Sequence, residues 1–422
     1  MRSTERAFLA VRMWVPALLL VVVALAPLVH YWLTNPGDQR LVDLEVYRAG
    51  GEAVLSGRAV YDFITPAPQL LPFTYPPISA LLAAPLAWMS WPTAQWVWVA
   101  GIYLALAVTV YFAFRPLLDR VGRWAPLMLA AVVVVTAYLM PMRDQTRFGQ
   151  VDILLVALCL ADCAIRERPG GRSRWPRGVL IGLATAIKLT PGVFLIYLWM
   201  TGRRRAAIVA TSTAAILTII PFLIIPGDAA TFWFDALLDS ERLGSNKATT
   251  NQSMRGMLLR VYLPDLLTTV LWLTLVAVVA WYGFRAARRV ALIGTTPAPG
   301  GLLSPGAPPS WGEVTGVALT GLMALLLSPV SWIHHFAWIV VVLGALVGSG
   351  RDRVRLLVAG GVWLYYTLTI PWWGVSLRAA EITALSPVAG RIVQNAFGLG
   401  AVALVWVLGY WLPKRYSSNH LT

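Results

Sequence analysis

Two carboxylates, Asp43 and Glu45, stand two residues apart in the string "LVDLEVYRAGG", just after a long apolar run. A carboxylate held at a membrane surface by apolar helices suits general-base chemistry, with Glu45 as a neighbouring contact. The alternative is a pair of solvated loop acids. Asp62, in "VYDF", lies beside turn residues and is the weaker candidate. His334 and His335, two of only four histidines, adjoin in "LLLSPVSWIHHFAW". Imidazole can donate a hydrogen bond to an anion or act as an acid near neutral pH. A polar pair beside Trp332 and Trp338 also fits an interfacial aromatic belt. No third ligand stands at metal-binding spacing, so no metal site is expected.

Lys188 falls inside an apolar segment, in "IKLTP". A lysine at such a depth costs on the order of 2.5–3.5 kcal/mol and marks a site unless it is paired. It either meets a phosphate or carboxylate at the tip of a broken helix, or forms a buried ion pair with Asp152. Arg147 and Gln150 near "RFGQVDILL", with Asn251, Gln252 and Arg255 in "TTNQSMRGMLLR", add amides and guanidinium groups. Guanidinium reads phosphate oxygens bidentately, so these five residues are candidate substrate contacts. "NQS" also matches a glycosylation acceptor, and substrate contact is the preferred reading.

The elements that must position these residues are apolar helices. The chain is 58% hydrophobic and 13% charged over 422 residues, with 20 tryptophans. Soluble domains run near 45–50% apolar and about 25% charged, so this composition implies an all-α polytopic membrane protein. The formal charge of +15 comes from basic residues dispersed between apolar segments. They read as topology signals, and no nucleic-acid partner is expected. The segments are 13–33, 92–114, 125–140, 151–165, 178–200, 206–225, 266–284, 314–333, 336–347, 356–370 and 392–412. The first is too long for a signal-peptide core and is read as a retained helix. Cys159 and Cys163, at i and i+4, read as small packing residues.

Two segments break strict alternation. Residues 75–91 open on Pro-Pro and contain Pro85, so this run is expected to lie along the outer interface or to dip into it and return to the same side. Residues 178–200 have basic clusters at both ends and are split at Pro191, which predicts two half-length helices entering and leaving on one side. The N-terminus is then cytoplasmic, and loops 41–73, 143–150, 227–264 and 372–387 lie outside with the 334–335 turn. Residues 290–313, rich in Pro and Gly, read as a flexible cytoplasmic linker. No internal repeat is found, which weighs against a transporter.

"VDLEVY", "PFTYPP", "FGQVDILL", "IKLTP", "NQSMRG" and "LLSPVSWIHH", in that order, resemble the polyprenol-phosphate-mannose-dependent mannosyltransferases of glycosyltransferase family 87. The resemblance implies a GT-C fold of about 10–12 membrane helices, some short or re-entrant. It implies one integral-membrane domain over 1–422, with residues 35–91 as an outer segment carrying the catalytic aspartate. The implied reaction moves mannose from polyprenyl-phosphate-mannose to a phosphatidylinositol mannoside, forming an α-1,2 linkage with inversion at the outer face of the plasma membrane. Asp43 is then the base, Tyr75 shapes the entrance, and His334 or His335, Lys188 and Arg255 meet the leaving phosphate. No cofactor beyond the donor is implied, and oligomeric state is left open. A flippase for lipid-linked saccharides, a non-catalytic scaffold, or action on lipomannan or lipoarabinomannan are the alternatives.

Overall fold

A computed structural model describes residues 3–164, 176–239, 242, 244–293 and 311–418. Most of the 290–313 linker and of the basic stretch 166–177 falls outside them. The regular structure of the described residues is helical, with two isolated bridges, Ile64 to Pro72 and Asn251 to Trp332, as the extended pairings.

The first apolar run forms α1 (Ser3–Thr34), whose Met13–Thr34 part is long enough to cross a membrane. Two short helices follow, α2 (Val42–Leu55) and α3 (Pro77–Ala87). The 11 residues of α3 rise only about 16 Å, half the thickness of a hydrocarbon core. As its prolines suggest, this run does not span; it packs along α2. Gly51 makes that possible, because a Cβ there would stand 2.6 Å from the Ala83 carbonyl oxygen.

Next come α4 (Trp91–Ala113), α5 (Arg115–Val121) and α6 (Ala125–Ala137). The last two together make one span-length unit. They lead to the short polar α7 (Met140–Phe148) and to α8 (Asp152–Ala164). Segment 178–200 is broken as expected, into α9 (Val179–Ile187) and α10 (Val193–Met200), with Lys188 in extended backbone between them. Arg177 before α9 and Arg203 after α10 both pair with Glu313. The two half-helices therefore start and finish at one end of the bundle and carry Lys188 to the other.

Two further span-length helices are α11 (Arg204–Ile224) and α14 (Asp265–Ile293), with short α12 (Pro226–Thr231) and α13 (Met254–Leu259) between them. The core is α15 (Trp311–Leu327) and α16 (Ile339–Val347), buried on nearly every face. The apolar run 314–333 was expected to stay helical, but α15 ends at Leu327. Pro329 lacks an N–H and disfavours helix at the preceding residue, which frees Ser328, Pro329, Val330 and Trp332 to line a cavity. The chain closes with α17 (Arg353–Thr367) and α18 (Ile370–Ala380), bent by 57° at their junction. Then follow α19 (Ser386–Gln394) and α20 (Ala396–Trp406), the latter opening a final span-length stretch.

Candidate active site

Asp43 sits in the first turn of α2, and three contacts fix where that turn lies. Leu41, in left-handed backbone (φ 52°), donates its N–H to the Arg147 carbonyl at 2.9 Å. Gly149 follows α7 at φ 74°, and a Cβ there would stand 2.9 Å from that of Leu44. Glycine thus meets both the backbone conformation and the close approach. The Trp98 indole N–H, from α4, holds the Gly149 carbonyl at 2.7 Å. The next residue, Gln150, is delivered beside Asp43 as its hydrogen-bonding neighbour.

The orientation of Gln150 is determined by its surroundings. Its Oε1 lies 3.2 Å from the Tyr47 hydroxyl and 3.1 Å from that of Tyr75, and the two hydroxyls are 2.8 Å apart. Phenols can donate to the carbonyl oxygen, whereas an ionised carboxylate only accepts. The amide N–H groups therefore face Asp43. Tyr47 was not singled out from sequence, although its i+4 spacing places it on the Asp43 face of the helix. Burial drives the Asp43 pKa up to about 7; Gln150 and the positive charge of Lys188 pull it down, and Asp152 pushes it up.

The break after α9 brings Lys188 to this group. Its ammonium donates to Asp152 Oδ1 at 2.8 Å and to His335 Nε2 at 3.0 Å, and lies 5.5 Å from the centre of the Tyr75 ring. The ion-pair reading of Lys188 holds, since it is paired with Asp152, and the residue also lines the cavity. An ammonium is a pure donor, so His335 Nε2 accepts and its other ring nitrogen carries the proton. His334 differs. Its backbone carbonyl accepts from Gln145 at 2.8 Å, its ring meets Phe148 and His335 edge-on, and its buried Nε2 has no partner.

One donor atom each from Asp152, His334 and His335 lie within 4.8 Å of one another. Sequence spacing gave no third ligand because α8 and the 333–338 turn are far apart in the chain. Two of the three residues already take hydrogen bonds from Lys188, so a cation binding there would have to displace an ammonium.

Lys188, His334 and His335 line a cavity of about 470 Å³. Of the residues proposed from sequence, Asp43, Tyr75, Gln150, Lys188, His334 and His335 line it; Thr74, Thr190, Arg242 and Ser328 add polar atoms. Val46, Leu71, Val193, Phe232, Leu327 and Trp332 supply much of the apolar wall.

Five sequence-proposed contacts are not brought to the cavity. Glu45 and Arg147 are not among its lining residues, and Arg147 packs over the Phe148 ring. Arg255 packs over Trp272. Asn251 and Gln252 are fully buried and structural. Asn251 Oδ1 accepts from the backbone N–H of Ser253 and of Ser331, at 3.2 and 3.0 Å. Gln252 bridges the Thr249 and Gln394 carbonyls and the Gly398 N–H. Arg260, also buried, donates to the Ala248 and Asn251 carbonyls and to Asn395. The polar string "TTNQS" thus pins the turn that presents the histidines, and the same burial leaves Asn251 inaccessible as a glycosylation acceptor.

Comparison with known proteins shows the family of the chain. The sequence profile of glycosyltransferase family 87 matches residues 73–304. A polyprenol-phosphate-mannose-dependent alpha-(1-2)-phosphatidylinositol mannoside mannosyltransferase of Mycolicibacterium smegmatis is 31% identical over 89% of this chain and 84% of its own length. One of the same name from Mycobacterium tuberculosis is 32% identical over 90% of this chain and 88% of its length. A polyprenol-phosphate-mannose-dependent alpha-(1-2)-phosphatidylinositol pentamannoside mannosyltransferase of M. smegmatis is 31% identical over 84% of the chain and 81% of its length. No solved structure matches. On likeness of this extent, with a helical architecture among the described residues, the chain belongs to glycosyltransferase family 87.

Proposed function

We propose that this chain transfers mannose from polyprenyl-phosphate-mannose to a glycolipid of the phosphatidylinositol mannoside class, forming an α-1,2 linkage with inversion. The observation that carries this reading is Asp43, the carboxylate that lines the cavity, facing Gln150 and the Lys188–Asp152–His335 group. A base poised near neutral pH is suited to removing a hydroxyl proton.

In this reaction an acceptor hydroxyl oxygen attacks the anomeric carbon while Asp43 takes its proton. The bond from that carbon to the phosphate oxygen breaks, and its electron pair stays on the phosphate. Direct displacement inverts the configuration and leaves no sugar on the enzyme. Donors fixed before the reaction stabilise the developing charge best; His334, whose Nε2 has no partner within the protein, supplies one in its Nε2–H tautomer. The activated sugar arrives on its lipid, so no further cofactor is required.

The chain acts as one membrane unit, with residues 35–91 forming the segment that carries the base. The cavity opens to the outer face of the plasma membrane and the N-terminus is cytoplasmic, a placement supported by the basic residues that flank the apolar segments. The test is transfer of labelled mannose from polyprenyl-phosphate-mannose by purified protein. Asp43→Asn is expected to bind donor and form no product. Full activity in that variant would refute the assignment.

A further inference from the structure

Two cations line the cavity among the described residues, and only one already has a carboxylate. Lys188 is held by Asp152 at 2.8 Å, gives a second hydrogen to His335, and lies over the Tyr75 ring. Its charge is met within the protein. Arg242 is placed differently. Its Nη2 donates to the Tyr61 carbonyl at 2.9 Å, its Nε is buried without a partner, and no carboxylate of the described residues lies within ion-pair distance of it. The nearby Asp228 is occupied in accepting from the Val60 N–H at 2.7 Å.

A guanidinium that lines a cavity and has no carboxylate of the described residues within ion-pair distance is a place for an anion that presents several oxygens. We propose that Arg242 binds a lipid-borne phosphate in this cavity, while Lys188 remains paired with Asp152. This rests on the transferase reading above. Two phosphates share the chemistry: that of the polyprenyl donor, which gains a negative charge as its bond to the sugar breaks, and the phosphodiester of the acceptor. The donor phosphate is the one whose charge grows during reaction, so an arginine there would serve the chemical step as well as binding.

The experiment measures binding of labelled polyprenyl phosphate and of uncharged polyprenol to purified full-length protein, as wild type, Arg242→Met and Arg242→Lys. Acceptor KM is measured alongside. Loss of a charge-assisted contact is expected to weaken polyprenyl phosphate by about tenfold to a hundredfold in Arg242→Met. Lysine should restore part of it, and polyprenol should be unaffected. Both variants lose the arginine's bond to Tyr61, so a purely structural role would weaken both lipids alike and overturn the proposal. A rise in acceptor KM alone would assign Arg242 to the acceptor phosphodiester. No change in either arm would also overturn the proposal. Because the binding arm needs no turnover, it remains decisive even if Asp43→Asn proves active and the transferase reading falls.

Discussion

Replacing Gln150 by leucine removes the amide that faces Asp43 and nearly preserves its volume. Burial already holds the Asp43 pKa at about 7, with Gln150 and Lys188 lowering it and Asp152 raising it. A hydrogen bond to a charged group contributes roughly 1.5–3 kcal/mol, and one pKa unit corresponds to about 1.4 kcal/mol. The variant's carboxyl should therefore titrate about one to two pH units higher. The base works only when ionised, so activity is present above this pKa and lost as pH falls through it. Near neutral pH about half of the wild-type base is ionised, against roughly a tenth to a hundredth in the variant. The assay is kcat/KM against pH. The acid limb should move upward, with the alkaline plateau largely retained. Tyr47→Phe and Tyr75→Phe should move it in the same direction by less, because each removes one of the two hydroxyls that orient the amide. A uniform loss of rate with an unmoved acid limb would refute the argument and leave Gln150 a packing residue.

Two other perturbations follow from the packing. Removing one partner of a buried ion pair leaves an uncompensated charge and costs about 3–5 kcal/mol, whereas replacing both with apolar groups costs far less. Asp152→Leu should accordingly lower thermal stability in detergent more than Asp152→Leu combined with Lys188→Met; equal losses would show that the pair is not coupled. Gly149→Ala combines a positive φ with a 2.9 Å contact to Leu44. It should cost about 1–3 kcal/mol and slow transfer by displacing the first turn of α2, and unchanged stability and rate would show that this loop does not set the position of Asp43.

Much of this was legible in the chain because its signals are local. Pro191 and the flanking basic residues marked the broken segment, and a lysine in apolar surroundings marked its tip. Asp43 was visible as an acid at the edge of an apolar run. What was hidden depends on contacts between distant segments. Arg242 has no local pattern to distinguish it from a surface arginine, and Asp152 joins the histidines only because α8 packs beside the 333–338 turn. Asn251 and Gln252 misled for the opposite reason. Polar residues in a loop read as substrate contacts, yet a buried loop with no regular ladder must satisfy its own backbone groups, and those amides are spent on that task.

The pairing of α8 with α9 has a mechanical consequence. At one end Asp162 accepts the N–H groups of Gly178 and Ile181, and at the other Asp152 receives Lys188. Asp152 and Asp162 are ten positions apart in the chain, as are Gly178 and Lys188. The two helices behave as matched struts bolted together at both ends. A residue added to one alone would carry its end about 1.5 Å further and rotate it by roughly 100°, so the two bolts could no longer close together. The depth of the lysine in the membrane is thereby gauged from the far side of the protein, by helix length rather than by the chemistry around it.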